Sequence, residues 1–411
     1  MSQEHELNKY RNIKYETRTA CSVCGHTNTT PVLELPALPL TEVFINRPGL
    51  SGLGETDQSL HYCQKCGHAQ LQHVLDQSLL YASKSGYEFR SSQSYTGRKT
   101  AEFFKQFLQS LNFKPTYDCV LEVGCNDAYL LKELKPLAHQ LIGVDPILRG
   151  HEQQINDDQV TVYGEFFESC KISESPDLVI CKDVIEHVTD PKALIQELVE
   201  VASKNSLFLI QVPIWDKLIE NYNFDHVFHQ HLNYFSLASF NTLLESLGCT
   251  LIDWTVNEDH WNSAIFAFTN QPAAEKVTNP PISLATVSTS LRVFNSQMQA
   301  CEIALEAAAT KFPVYGYGAA LMLPVIKYHF PNKLAAISKV FDDNPNRNGQ
   351  YYLNSTTPIV STECLDNISD AAVMLSAFSS RLNAKRMLAR LSNELKPKQI
   401  YYPFNLLNGT L

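Results

Sequence analysis

Short apolar runs alternate with amphipathic stretches through the middle of the chain. Runs of this length, with few polar interruptions, are typical of strands that are buried on both faces of a sheet. Regular alternation of such strands with helices predicts an α/β domain built on a parallel sheet. The predicted strands span residues 119–123, 141–144, 160–163, 177–181 and 207–212.

The flanking patterns predict two further domains. An amphipathic helix is expected over about 100–111, and a Pro-, Thr-, Ser- and Ala-rich stretch at 269–290 is typical of a linker. After a helix at about 293–310, an apolar strand again meets a glycine turn, at 314–320. We therefore predict an N-terminal domain at 1–80, a central domain at 81–270 and a second Rossmann-like domain at 271–411.

The first predicted strand ends in the sequence Glu122-Val-Gly-Cys-Asn-Asp127. An apolar strand that runs into a glycine turn brings the backbone close to a ligand at the carboxyl edge of a parallel sheet. The turn lacks the third glycine that a pyrophosphate usually requires, so S-adenosylmethionine is favoured over a dinucleotide. Asp145 ends the second strand, where a carboxylate accepts hydrogen bonds from ribose hydroxyls. The predicted cofactor-binding residues are Glu122, Gly124, Asn126, Asp127, Asp145 and Lys182.

Two Cys-x-x-Cys-Gly motifs stand in the N-terminal domain. The glycine after each pair lets the backbone turn so that both sulfur atoms face one point, and two such turns supply the four ligands of tetrahedral Zn²⁺. Four thiolates close the coordination shell, which indicates a structural metal. The alternative is a set of redox-active or free cysteines. The predicted zinc ligands are Cys21, Cys24, Cys63 and Cys66.

Histidines concentrate in two places after the fourth and fifth predicted strands. Glu186-His187 follows the fourth strand, and His226, His229 and His231 lie within six residues of one another. His187 could equally be a structural histidine that is hydrogen-bonded within its loop. The later cluster allows metal binding, since alternate residues share a face of an extended segment, or general-base chemistry, since imidazole titrates near neutrality.

The order of these motifs resembles that of the nucleotide-sugar C-methyltransferases, which make branched deoxysugars. The resemblance covers nearly the whole chain. It implies a zinc domain, an S-adenosylmethionine-dependent methyltransferase domain and a C-terminal nucleotide-fold domain that binds substrate. It also implies methylation at carbon 3 of a 4-keto-6-deoxy sugar, through base-catalysed formation of an enolate.

The resemblance also assigns catalytic residues. His231 matches the histidine that serves as the base or its close partner, and His187 matches a second active-site histidine. Tyr87 or Phe89 aligns with an active-site tyrosine. The catalytic residues predicted in this way are His231, His229, His187 and Tyr87.

The chain departs from the family pattern at several positions. Phe228-His-Gln-His231 stands where relatives have Tyr-His-Glu-His, so a phenol and a carboxylate are missing. His260-Trp-Asn-Ser263 replaces a His-Gly-Gly-Ser-x-Arg motif and lacks its arginine, and residues 320–324 lack a lysine that resembles a diphosphate contact. These departures bear on the substrate more than on the reaction.

Composition narrows the choice of partners. The 411 residues carry a net charge of −10, which disfavours a nucleic-acid partner because phosphate binding usually requires a basic surface. The sequence shows neither a membrane-spanning apolar run nor a signal pattern, so a cytoplasmic monomer or dimer is expected. Two alternatives stay open: a zinc-containing methyltransferase acting on RNA or a small molecule, and a non-catalytic protein that binds nucleotide sugars.

Overall fold

The computed structural model describes residues 7–11, 13–76, 80, 90–272, 280–365, 368–377 and 381–402. Within these ranges, no helix is both long enough and apolar enough to cross a membrane.

The N-terminal region forms antiparallel strands around the cysteine motifs. Its strands are β1 (Tyr15–Thr17), β2 (Thr30–Pro39), β3 (Phe44–Ile45), β4 (Glu55–Tyr62), β5 (Ala69–Leu71) and β6 (His73–Leu75). Strands β2, β4 and β5 lie side by side, and the short strand β12 (Asn233–Tyr234) of the histidine segment pairs with β5. A segment from much later in the chain therefore completes the N-terminal sheet.

The central domain contains a mixed sheet that has seven strands within the described residues. They are β7 (Tyr117–Val123), β8 (Ala138–Val144), β9 (Val160–Tyr163), β10 (Leu178–Lys182), β11 (Leu207–Pro213), β13 (Thr250–Asn257) and β14 (Ser263–Thr269). The spatial order is β13-β14-β11-β10-β7-β8-β9, with β7 to β11 parallel and β13 and β14 antiparallel. The carboxyl ends of β7, β8 and β10 consequently meet at one edge of the sheet.

Within the described residues the central domain has five α-helices, and the first, third and fifth are capped by a side chain. They are α1 (Tyr95–Ser110), α2 (Tyr129–Glu133), α3 (Pro191–Val201), α4 (Trp215–Glu220) and α5 (Leu237–Ser246). Helix α1 is capped by Ser94, whose side chain accepts from the amide of Gly97, and α3 by Asp190, which accepts from Ala193. Such side chains satisfy amides that have no partner in the first turn of a helix.

A second parallel sheet forms the C-terminal region, with five strands within the described residues. They are β15 (Val314–Tyr317), β16 (Lys339–Asp342), β18 (Ile359–Ser361), β19 (Ala372–Leu375) and β20 (Gln399–Tyr401), in the order β18-β16-β15-β19-β20. The short strand β17 (Tyr351–Tyr352) pairs instead with β3. The helices are α6 (Leu284–Ala309), α7 (Leu323–Tyr328) and α8 (Arg381–Arg390), which continues into a π-helical turn.

The structure confirms the predicted α/β class and the position of all five predicted central strands, and it corrects three details. Helix α1 begins at Tyr95 rather than near residue 100. The antiparallel pair β13 and β14 was not predicted. The linker predicted at 269–290 is wrong over its last part, because Ser283 caps α6 by accepting from Thr286 and the helix starts at Leu284. The domain boundaries themselves stay predictions.

Candidate active site and metal centre

The two cysteine motifs adopt the same backbone turn. The amide of Gly25 donates to the carbonyl of Cys21 at 2.9 Å, and that of Gly67 donates to Cys63 at 2.8 Å. Gly25 and Gly67 have φ of +68° and +79°, a region that residues with a β-carbon rarely occupy. The glycines therefore allow each turn to close so that its two thiols face the other pair.

The four thiols form one cluster whose size matches a zinc ion. The Sγ atoms of Cys21 and Cys66 are 3.6 Å apart, as are those of Cys24 and Cys63, and all four lie within 4.8 Å of one another. Zn–S bonds of about 2.3 Å in a tetrahedron place the sulfur atoms about 3.8 Å apart. The structure thus brings the predicted ligands together, and Zn²⁺ held there has a closed, structural shell.

The glycine turn after β7 lies at the carboxyl edge of the central sheet. Gly124 has φ of +76°, and its amide donates to the carbonyl of Val144 at 2.8 Å. A β-carbon at this position would lie 2.3 Å from Cγ2 of Val184. Only glycine lets the backbone pass this close to the loop after β10, so the turn can approach a ligand.

Asp145 connects this turn to the end of β8. Its Oδ2 accepts from the amide of Asn126 at 2.8 Å, and its Oδ1 accepts from Ile147 at 3.0 Å. The carboxylate is 8% exposed, and burial raises its pKa. Each carboxylate oxygen can accept a second hydrogen bond, so Asp145 can still receive ribose hydroxyls.

The side chains of the turn also hold the segment that precedes α1. Asn126 accepts from the amide of Ser91 at 3.1 Å, and Oδ2 of Asp127 accepts from the amide of Ser92 at 3.0 Å. The other oxygen of Asp127 is buried and has no hydrogen-bond partner in the described chain. Tyr87, the predicted catalytic tyrosine, lies outside the described residues.

Glu122 and Lys182 flank the turn and differ in their hydrogen-bond partners. Glu122 is buried at the end of β7, where burial raises the pKa of its carboxyl group to about 8 and Oε2 lacks a partner in the described chain. A buried carboxyl group with an unsatisfied oxygen fits a hydrogen-bonding group of S-adenosylmethionine. Lys182 is engaged instead by Asp183, with Nζ 2.6 Å from Oδ2.

His187 and His231 come together beside Glu186. Their ring centroids are 4.9 Å apart in an edge-to-face arrangement. Nδ1 of His187 donates to the carbonyl of Gln230 at 2.8 Å, which directs Nε2 toward Oε1 of Glu186, 4.0 Å away. In a tetrahedral zinc site with bonds of about 2.1 Å, two ligand atoms lie about 3.4 Å apart. The 4.0 Å between these two atoms is longer, so the trio is more open than the cysteine cluster.

Burial sets the protonation of this trio. It lowers the pKa of His187 and, together with the charges of His187 and His226, lowers the pKa of His231 well below its ordinary value. Burial and the charge of Asp183 raise the pKa of Glu186 well above its usual range. At neutral pH the site therefore presents neutral imidazoles, which can accept a proton, beside a carboxyl group that keeps its proton to a higher pH than an exposed glutamate does.

His229 points away from these residues. Its imidazole is fully buried, and Nε2 donates to the carbonyl of Leu38 in β2 at 3.0 Å. Nδ1 has no partner in the described chain, and burial lowers the pKa of the ring to about 4. Because both ring nitrogens face protein, the arrangement favours a structural role for His229.

A polar cluster at Asp183 was missed by the sequence analysis. Asp183 follows β10 with φ of +55° and accepts from Gln211 at 2.9 Å and from Nε2 of His260 at 3.3 Å. Burial opposes ionisation, but Lys182 and His260 outweigh it and hold the pKa of Asp183 below its usual range. In the sequence, the position of Asp183 directly after Lys182 at a strand end could have indicated this cluster. Its contact with His260 could not be predicted, because it depends on the turn between β13 and β14.

Trp261 and Gln230 complete the surroundings of His231. Trp261 and Asn262 both have φ of +51°, and the indole ring lies 5.8 Å from His231 and 4.7 Å from His226. Left-handed backbone is unusual for so bulky a residue and is often found at functional sites. Gln230 is 3% exposed, and neither atom of its amide has a partner in the described chain.

The zinc turns are connected to this histidine segment. Asn233, which pairs with β5, accepts from the Ser22 hydroxyl at 3.0 Å and from Arg18 at 3.2 Å. The amides of Leu232 and Asn233 donate to the carbonyl of Glu186 at 2.7 and 3.1 Å. The zinc turn and the loop carrying His187 are therefore joined through Asn233.

Comparisons with known proteins match both parts of this arrangement. A family described as "Methyltransferase domain" matches residues 92–253, and one described as "Putative zinc binding domain" matches residues 21–81. The chain thus combines an S-adenosylmethionine-dependent methyltransferase domain with an N-terminal zinc-binding domain. These matches bear out the predicted cofactors, S-adenosylmethionine and Zn²⁺.

A curated relative is the C-methyltransferase NovU of Streptomyces niveus, which is 26% identical over 276 residues. The match covers 64% of this chain and 63% of that protein. The match therefore spans less than two thirds of that relative's length, and it agrees with the resemblance to the C-methyltransferases.

Solved structures of methyltransferases also match part of this chain. The N-methyltransferase NodS of Bradyrhizobium japonicum, in complex with S-adenosyl-L-homocysteine, is 13% identical with a TM-score of 0.36, covering 47% of this chain and 95% of that one. Magnesium protoporphyrin IX methyltransferase of Synechocystis is 16% identical with a TM-score of 0.32, covering 42% and 79%.

Proposed function

We propose that this protein methylates a carbon atom of a nucleotide-linked 4-keto-6-deoxy sugar, at the carbon next to the ketone, C3. The pairing of His231 with His187 at the carboxyl edge of the central sheet is the observation that carries the proposal. The C-methyltransferase relative and the family motifs support the reaction and the class of acceptor.

His231 is the proposed base. A carbon–hydrogen bond next to a ketone is acidic enough for a positioned base to break, with the electron pair moving to the ketone oxygen. His231 is neutral at physiological pH because burial lowers its pKa, so it can take up that proton. When bound, S-adenosylmethionine supplies the methyl group that the enolate carbon takes up.

Glu186 and His187 are proposed to act on the enolate oxygen. The raised pKa of Glu186 favours the protonated form of its carboxyl group, and a protonated carboxyl group can donate a hydrogen bond to developing negative charge. His187 is oriented for this by its hydrogen bond to Gln230. Gln230, with no partner for its buried amide, is proposed to bind the sugar.

The test compares His231→Asn, His187→Asn and His229→Asn in two assays. One follows exchange of the sugar's carbon-bound proton with deuterated water, and the other follows methyl transfer by mass spectrometry across a panel of nucleotide sugars. His231→Asn should lose about 10² to 10⁴ in both rates while S-adenosylmethionine affinity stays unchanged.

His229→Asn is the control that separates the two neighbouring histidines. His229 donates a hydrogen bond to the carbonyl of Leu38. Its substitution should therefore lower the stability of the fold and leave most of the activity of the folded fraction. Full exchange by His231→Asn together with inactive, folded His229→Asn would move the base to His229. Exchange that survives both changes would move it to His187 or Tyr87.

A further inference from the structure

A cleft of about 540 Å³ lies between the N-terminal sheet and the C-terminal sheet. Pro39 of β2 and Glu55 of β4 line one side, and Ser338 and Thr357 line the other. Ser338 immediately precedes β16 and Thr357 precedes β18, so the cleft faces the amino ends of these strands. It is therefore at the opposite edge of the C-terminal sheet from the glycine turn at Gly318.

Hydrogen bonds between the two regions hold the walls of the cleft in place. The amide of Gly49 donates to the carbonyl of Ser355 at 2.8 Å, and the hydroxyl of Tyr328 donates to the carbonyl of Pro36 at 2.9 Å. A β-carbon on Gly49 would lie 2.3 Å from the carbonyl oxygen of Tyr352. The two walls are thus in direct backbone contact beside the opening.

Two lysines line the cleft, and neither forms an ion pair with a carboxylate of the described residues. Lys327, at the end of α7, is half-buried, and its Nζ donates to the hydroxyl of Ser355 at 3.1 Å. Among the described residues, no ion pair within 4.0 Å involves Lys327 or Lys333. Both lysines line the cleft, and burial and the charge of Lys333 lower the pKa of Lys327.

Lys333 is held in an unusual backbone conformation. Lys333 and Leu334 have φ of +51° and +53°, although neither is glycine. The carboxylate of Glu302, itself 3% exposed, accepts from the amides of Asn332 and Leu334 at 2.7 and 3.1 Å. A buried acid of α6 therefore offsets the strain of the loop that carries this lysine.

The acid in the cleft, Glu55, is hydrogen-bonded to amides of the described residues rather than to the lysines. Glu55 accepts from the side-chain amide of Asn354 at 3.0 Å and from the backbone amide of Gly52 at 3.1 Å. The cleft thus retains two ammonium groups together with the hydroxyls of Thr356 and Thr357. Clustered cations and hydroxyl donors are the groups that bind phosphate oxygens.

We propose that this cleft is a second ligand site, which binds a phosphate-type anion through Lys327 and Lys333. The anion is either free pyrophosphate or the diphosphate of a nucleotide. The site is separate from the histidine cluster, and β2 lies between them: Pro39 lines the cleft, and Leu38 holds His229. The proposal does not depend on the acceptor of methyl transfer.

Calorimetry with inorganic pyrophosphate tests the site in the full-length, zinc-loaded protein. Lys327→Met and Lys333→Met should each weaken pyrophosphate binding by about tenfold or more, because each removes one charge from a site with two. Lys339→Met, at an exposed lysine of β16, is the matched control and should bind as the parent does. Lys327→Arg keeps the charge and should retain most of the affinity.

Competition identifies the source of the anion. A nucleoside diphosphate that displaces pyrophosphate, and that also binds more weakly to Lys327→Met, would place a nucleotide's diphosphate in the cleft. Pyrophosphate binding that is unaffected by a saturating nucleoside diphosphate would indicate a free anion. Absence of pyrophosphate binding by the parent, or equal binding by the parent and both folded methionine variants, would overturn the proposal.

Discussion

The central and C-terminal sheets share one hydrogen-bonding pattern at the aspartate that ends a strand, but the charges around the two aspartates differ. In the central sheet, Asp145 accepts from the amide of Asn126 at 2.8 Å. In the C-terminal sheet, Asp342 at the end of β16 accepts from Ala319 at 2.7 Å. Each aspartate also accepts from the amide two residues later, at 3.0 and 2.9 Å. The two sheet edges therefore have the same backbone arrangement around the aspartate.

The difference lies in the charges around each aspartate. Arg347 contacts Oδ2 of Asp342 at 3.3 Å and the carbonyl of Ala319 at 2.8 Å, and Arg390 pairs with Asp343. At the central edge, buried oxygens of Glu122, Asp127 and Glu186 have no hydrogen-bond partner in the described chain. One edge is satisfied by the protein's own cations, whereas the other keeps buried carboxyl oxygens that can hydrogen-bond to a ligand. A shared fold thus does not imply a shared function.

Removing zinc should have the largest effect on stability, and it should loosen the carboxyl edge of the central sheet before that of the C-terminal sheet. Cys66→Ala or chelation should lower the free energy of unfolding on the order of several kcal/mol, because zinc binding is coupled to folding of its domain. Since Asn233 joins the zinc turn to the histidine segment, hydrogen exchange should rise at residues 229–233 before it rises at 318–320.

Cys364→Ser is the control, since this cysteine is exposed and outside the metal cluster. The zinc assignment would be refuted by purified protein that lacks zinc, or by a Cys66→Ala variant that melts at the parent temperature.

Matched alanine substitutions at the two aspartates compare the edges directly. Asp145→Ala should weaken S-adenosylmethionine binding by about 1 to 3 kcal/mol, through the loss of buried hydrogen bonds. Asp342→Ala removes the corresponding carboxylate from the other edge and should leave this affinity unchanged. Titration calorimetry measures both variants, and equal losses would show that the effect is structural rather than local to the cofactor.

Acid should destabilise the histidine segment through His229. The pKa of His229 is about 4 in the folded protein and lies below the ordinary value of 6.5. Between these two pH values, His229 is therefore protonated in the unfolded chain but not in the folded protein. The stability that His229 contributes is complete above about pH 6.5 and falls by about 1.4 kcal/mol per pH unit toward pH 4.

His229→Gln, which retains a donor for Leu38, should reduce this slope. Urea unfolding at pH 7, 6 and 5 measures the slope for each protein. An identical pH dependence in the variant and the parent would remove His229 as a source of the acid sensitivity.

The smallest effect is expected at Arg347, which partly neutralises the C-terminal edge. Arg347→Met should lower the free energy of unfolding by about 1 kcal/mol, since the ion pair with Asp342 is only partly buried. Cofactor affinity should stay the same. A double-mutant cycle with Asp342→Asn isolates the pair, and a coupling energy near zero would show that Arg347 does not satisfy this edge.

The features predicted correctly from the amino-acid sequence are those whose geometry is local. Each Cys-x-x-Cys-Gly motif closes its own turn, and Gly124 needs a positive φ within a single strand-to-helix connection. The apolar runs identify the central strands because burial on both faces leaves little choice of side chain. For these features, backbone conformation and composition within a few residues are sufficient.

Only the tertiary structure decided which histidine faces which partner. His229 and His231 are two residues apart, yet one donates to Leu38 in the N-terminal sheet and the other lies beside His187. Likewise, Asp183 meets His260 because β14 pairs with β11. These contacts join positions that are remote along the chain, so packing of whole sheets, rather than any local preference, determines them.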